Sequence, residues 1–226
     1  MKSQHAPDAS RRTLASFALV CLLINIVVLV LAPIVRPDLD VLQRSLSYYA
    51  VGQWAMLQNL SFASMGLASL ALGMALFQEP RSTCQIACSV ALFIGGLSSI
   101  ALVIFPIDAA GPSTFLGDTH QTAGTIGGVA LLVATLTMAI AASTDPRWQN
   151  LKLPAVIALV LSLAGAIATQ VSIWWTDIGI LRGITMRLVV APLVLFWWLV
   201  AMQLLRKDRP HHTATRNLTP ESPARN

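Results

Sequence analysis

The amino-acid sequence specifies an all-α membrane protein: a compact bundle of six transmembrane helices, both termini cytoplasmic, with a short amphipathic helix in the first outer loop. Three observations lead there. Six apolar runs of about 20 residues can each cross a hydrocarbon core of about 30 Å; they cover residues 14–34, 55–77, 86–105, 120–142, 155–175 and 188–205. Charged residues make up 11% of the 226-residue chain, against about 25% in a soluble domain, so most of the surface meets lipid. The mean hydropathy of +0.68 agrees. Eleven of the fifteen Lys and Arg flank one side of the runs, and the positive-inside rule assigns that side to the cytoplasm.

The first run follows a tail, residues 1–13, with Lys2, Arg11 and Arg12. It is longer than the about 7–15 residues of a signal-peptide core, and no A-x-A site follows, so it reads as a retained anchor. The first outer loop, RPDLDVLQRSLSYYAVGQW, places Leu39, Leu42, Leu46 and Tyr49 at helical spacing, the pattern of a helix lying in the interface. Tyr48, Tyr49 and Trp54 suit headgroup depth, and Asp40 and Arg44 are i,i+4 partners. The third loop, PIDAAGPSTFLGDTHQT, lacks Lys and Arg; Pro106 and Pro112 end the third helix. The fifth adds Asp177, Arg182 and Arg187, with Trp174 and Trp175 in the aromatic belt. Residues 206–226 are polar, contain Pro and read as a disordered cytoplasmic tail.

Helices in lipid join through small residues that allow close approach. These are Gly66, Ser69 and Gly73 in the second run, Gly95, Gly96, Ser98 and Ser99 in the third, Gly124 and Gly128 in the fourth, and Ser162, Gly165, Ala166 and Thr169 in the fifth. Asn25, isolated within the first run, is expected to bond a neighbouring helix. Pro192 falls within the sixth.

The ionisable residues of the three outer loops gather at one end of such a bundle. His120 shares a helix face with Gly124 and Gly128, so it should point into the bundle mouth. Asp108, ending the third helix, is its natural orienting partner, which would raise the basicity of the imidazole. Ser47 could supply a hydroxyl, and the fork of Arg187 suits phosphate or carboxylate. Structural alternatives stand beside each. Asp118 followed by Gln121 resembles a capping box with Asp118 as N-cap, although Asp118 also counts as a candidate ligand contact. Arg187 could close the bundle by pairing with an aspartate, and His120 could simply donate to a loop carbonyl.

Composition excludes several classes. The net charge of +5 comes from residues flanking apolar runs, with no groove-sized basic patch for nucleic acid. His120 is the one histidine of four outside the tails. Haem held by two histidines is therefore not expected, nor is a zinc site with about three protein ligands. No cofactor or metal is assigned. Cys21, Cys84 and Cys88 form no disulfide framework.

The outer loop R-P-x-x-D, Ser47-x-x-x-x-Gly52 before Trp54, F-P-I-D ending at Asp108, His120 opening the fourth helix, and GITMR ending at Arg187 together resemble the bacterial integral membrane family called "domain of unknown function 998". The resemblance covers about residues 14–205. It implies six spans and a membrane location, supplies no activity, and points to Ser47, Gly52, Asp108, His120 and Arg187; the bacterial plasma membrane is the location expected.

Three functions follow as expectations. The first is a protein that binds a membrane lipid or a partner through a polar pocket at the outer face. The second is an enzyme acting on a lipid headgroup, with His120 as base and Asp108 as orienter. The third is a small transporter, disfavoured because no ionisable residue lies near the middle of a run.

Overall fold

The computed structural model describes residues 5–78, 82–174 and 181–207. Six helices long and apolar enough to span a membrane form the chain: α1 His5–Val35, α2 Ala55–Phe77, α3 Thr83–Ile104, α4 Phe115–Thr144, α5 Lys152–Trp174 and α6 Arg182–Lys207. No strand occurs among the described residues. Two short 3-10 helices, Leu46–Ala50 and Gln149–Leu151, precede α2 and α5. The protein is thus a multi-pass, membrane-spanning helical bundle.

Each helix packs on its neighbour in sequence, and α6 returns to α1 to close the ring. The joints are built as the small residues anticipate. A Cβ on Gly66 would stand 2.9 Å from the Gly96 carbonyl, and one on Gly73 3.1 Å from the Ser89 carbonyl, so α2 and α3 touch backbone to backbone. Gly165 does the same for α5 against Thr185 and Val189 of α6. Side-chain hydrogen bonds add to that joint: Ser162 donates to the Val189 carbonyl at 2.9 Å and Thr169 to Thr185 at 2.9 Å. Asn25 of α1 donates to the Ser61 hydroxyl at 2.8 Å and the Ser61 carbonyl at 3.1 Å on α2, the interhelical bond anticipated for it.

The ring is filled unevenly. The half nearer the chain termini holds the apolar core, in which Leu22, Leu72, Leu92, Met138, Trp197 and Val200 are fully buried. The other half, which carries the loops 36–54 and 105–114, is partly hollow. The reason lies in α4, which packs closely on α3 but loosely on α5 and barely on α6.

Three helix starts depart furthest from the apolar runs. α1 begins at His5 and so includes most of the segment expected as a tail. α4 begins at Phe115, because Thr114 accepts the Gly117 N–H at 3.2 Å as N-cap; Asp118 lies inside the first turn and is not the cap. α6 begins at Arg182, a turn and a half before the apolar run. The helix expected in the first outer loop forms as the 3-10 helix Leu46–Ala50, with Leu46 and Tyr49 buried and Leu42 exposed. Tyr49, expected at headgroup depth, is instead 1% exposed, packed on Val28 and Ala32 of α1. Asp40 and Arg44 meet through the backbone, the Arg44 N–H donating to the Asp40 carbonyl at 2.8 Å, while their side chains turn elsewhere: the Asp40 carboxylate accepts the Leu42 N–H, and the Arg44 guanidinium lies 5.0 Å from the Tyr48 ring centre. Trp175, Asp177 and the tail 208–226 lie outside the described residues, as does the side chain of Trp174.

Candidate functional site

The hollow half of the ring is a cavity of ≈ 430 Å³ to which all six helices contribute. This lies within the range of about 300–1,000 Å³ typical of ligand sites. Its loop-end rim carries polar groups: Ser47, His120, Gln121 and Arg182. Its deep end is walled by Met65, Leu131, Val190 and Leu193. Asn25 and Gln58 add amides to the wall. Asn25 lies ten residues before the end of α1 at Val35, a depth of about 15 Å at 1.5 Å per residue. The cavity therefore runs from the rim to about the middle of the membrane. Gln121, Thr125 and Val129 of α4 and Gln170 of α5 line it and are also exposed, so it opens between these two loosely joined helices.

Gly124 and Gly128 explain the opening. Their face of α4 was expected to pack against a helix. A Cβ on Gly128 would meet nothing within 4 Å, and one on Gly124 only Leu102 at 3.8 Å. The packing glycine is Gly127, where a Cβ would stand 3.0 Å from Ser98 of α3. The glycine face that carries His120 therefore borders the cavity.

His120 is 3% exposed and both ring nitrogens are engaged. Nδ1 lies 2.7 Å from the Phe105 carbonyl oxygen and Nε2 lies 2.9 Å from Ser47 Oγ. A carbonyl can only accept, so Nδ1 carries the hydrogen and donates to it. In the neutral ring Nε2 is then the acceptor, and the Ser47 hydroxyl donates to it. The Phe62 ring meets the imidazole edge to face, centroids 6.1 Å apart, and fixes its plane. A hydroxyl, a base and a group that orients the base form the arrangement that activates a nucleophile, with the first pair inside the about 2.6–3.2 Å it requires.

Ser47 is placed by its loop, which is held at both ends. On one side Arg187 donates from one NH group to the carbonyls of Val41 at 2.9 Å and Arg44 at 3.4 Å, and to the Gly183 carbonyl of its own helix at 2.9 Å. The Gly183 N–H donates to the Leu42 carbonyl at 2.6 Å, so the first turn of α6 is capped by the loop. A Cβ on Gly183 would run into the carbonyls of Val41, Leu42 and Arg44; only glycine allows this approach. On the other side Arg36 pairs with Asp38 at 2.8 Å and donates to the Val51 carbonyl at 2.6 Å. Gly52 then turns the chain with φ +84°, a left-handed conformation suited to glycine. The hydrogen bond from Arg36 holds the Asp38 carboxyl below the ordinary aspartate range.

Two expected partnerships are replaced by others. Asp108 does not orient His120. Its carboxylate accepts the Thr114 N–H and hydroxyl, each at 2.8 Å, and packs on Gly117; the backbone of Phe105 takes the orienting role instead. Arg187 is committed to the loop and over the Tyr49 ring, with 5.5 Å to its centre. The arginine that borders the cavity is Arg182. Asp118 is exposed, accepts from Ser113, and lies off the cavity.

Arg182 and Gln58 also border the cavity, although neither was expected there from the sequence. Gln58 is 1% exposed, and its side-chain carbonyl accepts no hydrogen bond from the protein; the same holds for the Asn25 carbonyl, while the buried Arg182 Nε–H has no acceptor. Such groups ordinarily have partners when buried. A glutamine inside an apolar run was the available signal for Gln58. No group of three His, Cys, Asp or Glu side chains that could hold a metal ion occurs among the described residues.

A family model described as "Protein of unknown function (DUF998)" matches residues 19–203. No curated protein and no solved structure matches the chain.

Proposed function

The chain belongs to the DUF998 family, and we propose that it is a bacterial plasma-membrane protein that binds a lipid in the loop-end cavity, polar head at the rim and apolar chain toward the bilayer centre. The observation that carries this reading is the gradient along the cavity: Ser47, His120 and Arg182 at its rim, Met65, Leu131 and Leu193 at its depth. That polarity matches an amphiphile entering sideways between α4 and α5. The unpartnered carbonyls of Gln58 and Asn25 supply acceptors for a hydroxyl or amide of the ligand. The rim faces the cell exterior in this reading, since the basic residues cluster at the opposite end.

Transport is the less favoured reading. The half of the ring beyond the cavity is packed with Leu22, Leu72, Met138 and Trp197, an apolar core among the described residues that does not favour a polar path across.

Native mass spectrometry of the protein taken from its own membranes tests the binding. Lipid adducts are expected on the wild type and absent from Gly128→Leu, whose Cβ would meet nothing within 4 Å and whose side chain would extend into the cavity that Gly128 lines. Equal adducts on both proteins would overturn the reading. For orientation, a reporter fused after Asn226 is expected to be active only in its cytoplasmic form.

A further inference from the structure

We propose that Ser47 is a nucleophile with His120 as its general base, and that the lipid in the cavity is an ester whose acyl group passes to Ser47. This inference rests on the cavity's binding a membrane lipid. Three observations carry it further than binding. The Ser47 hydroxyl and His120 Nε2 are 2.9 Å apart, within reach for proton transfer. The Phe105 carbonyl holds the tautomer in which Nε2 is the base. Both residues border the cavity, and Ser47 is only partly buried, so a substrate carbonyl can approach the hydroxyl.

The bonding balances without an oxidant, a reductant or a metal. Ser47 Oγ bonds to the ester carbonyl carbon as its proton moves to His120 Nε2, and the carbonyl π pair shifts onto its oxygen. The oxyanion re-forms the carbonyl and breaks the bond to the alcohol oxygen, which takes the proton from His120. Acyl-Ser47 and a free alcohol result. A second hydroxyl compound, water or an alcohol, then gives its proton to His120 and attacks the acyl carbon. Collapse of that intermediate transfers the acyl group to the attacking oxygen, and the departing Ser47 oxygen recovers the proton from His120. Arg182, bordering the same cavity with a buried Nε–H that lacks an acceptor, is the donor offered to the oxyanion. Arg187 and Arg36 are positioning residues, because they act only by holding the loop that carries Ser47.

A fluorophosphonate probe, which phosphonylates activated serines, tests the proposal on the full chain in membranes. Labelling is expected at Ser47 well above every other serine, with a loss of at least tenfold in His120→Gln and complete loss in Ser47→Ala. Vesicles of ester-linked phosphatidylglycerol are expected to slow labelling of the wild type. A wild type in which Ser47 labels no faster than other serines overturns the proposal whatever the variants do, as does full labelling of a folded His120→Gln. Lipid adducts measured on the same sample separate the two readings: adducts with an inert Ser47 defeat the chemistry and leave binding intact, whereas a reactive Ser47 without adducts defeats binding as argued above.

Discussion

Nε2 of His120, on the first turns of α4, lies 2.9 Å from the hydroxyl oxygen of Ser47, which is 73 residues earlier in the chain. This bond joins the loop between α1 and α2 to the helix that borders the cavity, so its energetic coupling can be measured directly. A buried neutral hydrogen bond contributes about 1 kcal/mol. A double-mutant cycle on Ser47→Ala and His120→Ala, read by unfolding in mild detergent, should therefore return a coupling of about 1 kcal/mol. His120→Ala alone should cost more than Ser47→Ala alone, because it also strands the Phe105 carbonyl and removes the contact with Phe62. Additive effects would mean the bond does not form.

Asp108 offers a contrast. Its carboxylate serves Thr114 at the start of α4, so Asp108→Asn should weaken the 108–114 turn while leaving Ser47 reactive toward fluorophosphonate. Melting temperature should drop by a few degrees with labelling kept within about threefold. A collapse of labelling with no change in melting would restore Asp108 as the orienter of His120.

Gly183 and Gly128 should respond in opposite ways to the same small change. In Gly183→Ala the new methyl meets three loop carbonyls, and overpacking of this kind costs about 3 kcal/mol at its upper end. In Gly128→Ala the methyl enters open space, and alanine favours a helix over glycine by about 1 kcal/mol. Thermal melts in one detergent should show Gly183→Ala well below the wild type and Gly128→Ala at or above it.

The Arg36–Asp38 pair gives a pH dependence of known sign. The Asp38 carboxyl is held below its ordinary range by the hydrogen bond from Arg36, so the folded state favours the ionised form. Its contribution is complete above the ordinary aspartate value of about 3.9 and is lost as pH falls through the depressed value. Asp38 is 61% exposed, so the effect is small. The melting difference between wild type and Asp38→Asn should be constant near neutrality and close toward pH 3. A difference that widened on acidification would contradict the assignment.

Much of this architecture was legible in the sequence, because lipid imposes a simple rule: backbone polar groups must be satisfied within each span, and only long apolar helices do so. Hence the six helices, the small-residue joints at Gly66, Gly73 and Gly165, and the Asn25 bond were all readable. What the sequence could not reveal was which small residues face a neighbour. Gly124, Gly127 and Gly128 fit one another's pattern, yet only Gly127 packs, since α4 leans on α3 and away from α5. The site was half legible for a related reason. His120 and Ser47 stood out as polar groups at one end of a bundle, but pairing depends on where loops fold back. Backbone carbonyls at 41, 44 and 105 leave no trace in residue type. Those at 41 and 44 take Arg187, and the one at 105 takes the His120 Nδ1–H, for which Asp108 had been the first partner expected.

The most direct test is where a lipid chain touches the protein. A phospholipid carrying a diazirine near the end of one acyl chain would be incorporated into membranes with the protein, photolysed, and its crosslinks mapped by peptide mass spectrometry. Adducts are expected on Met65, Leu131 and Leu193, at the deep end of the cavity, and are expected to vanish in Gly128→Leu. Adducts confined to lipid-facing positions such as Val20, Leu97 and Val160, all exposed on the outside of the bundle, would contradict the cavity as a lipid site.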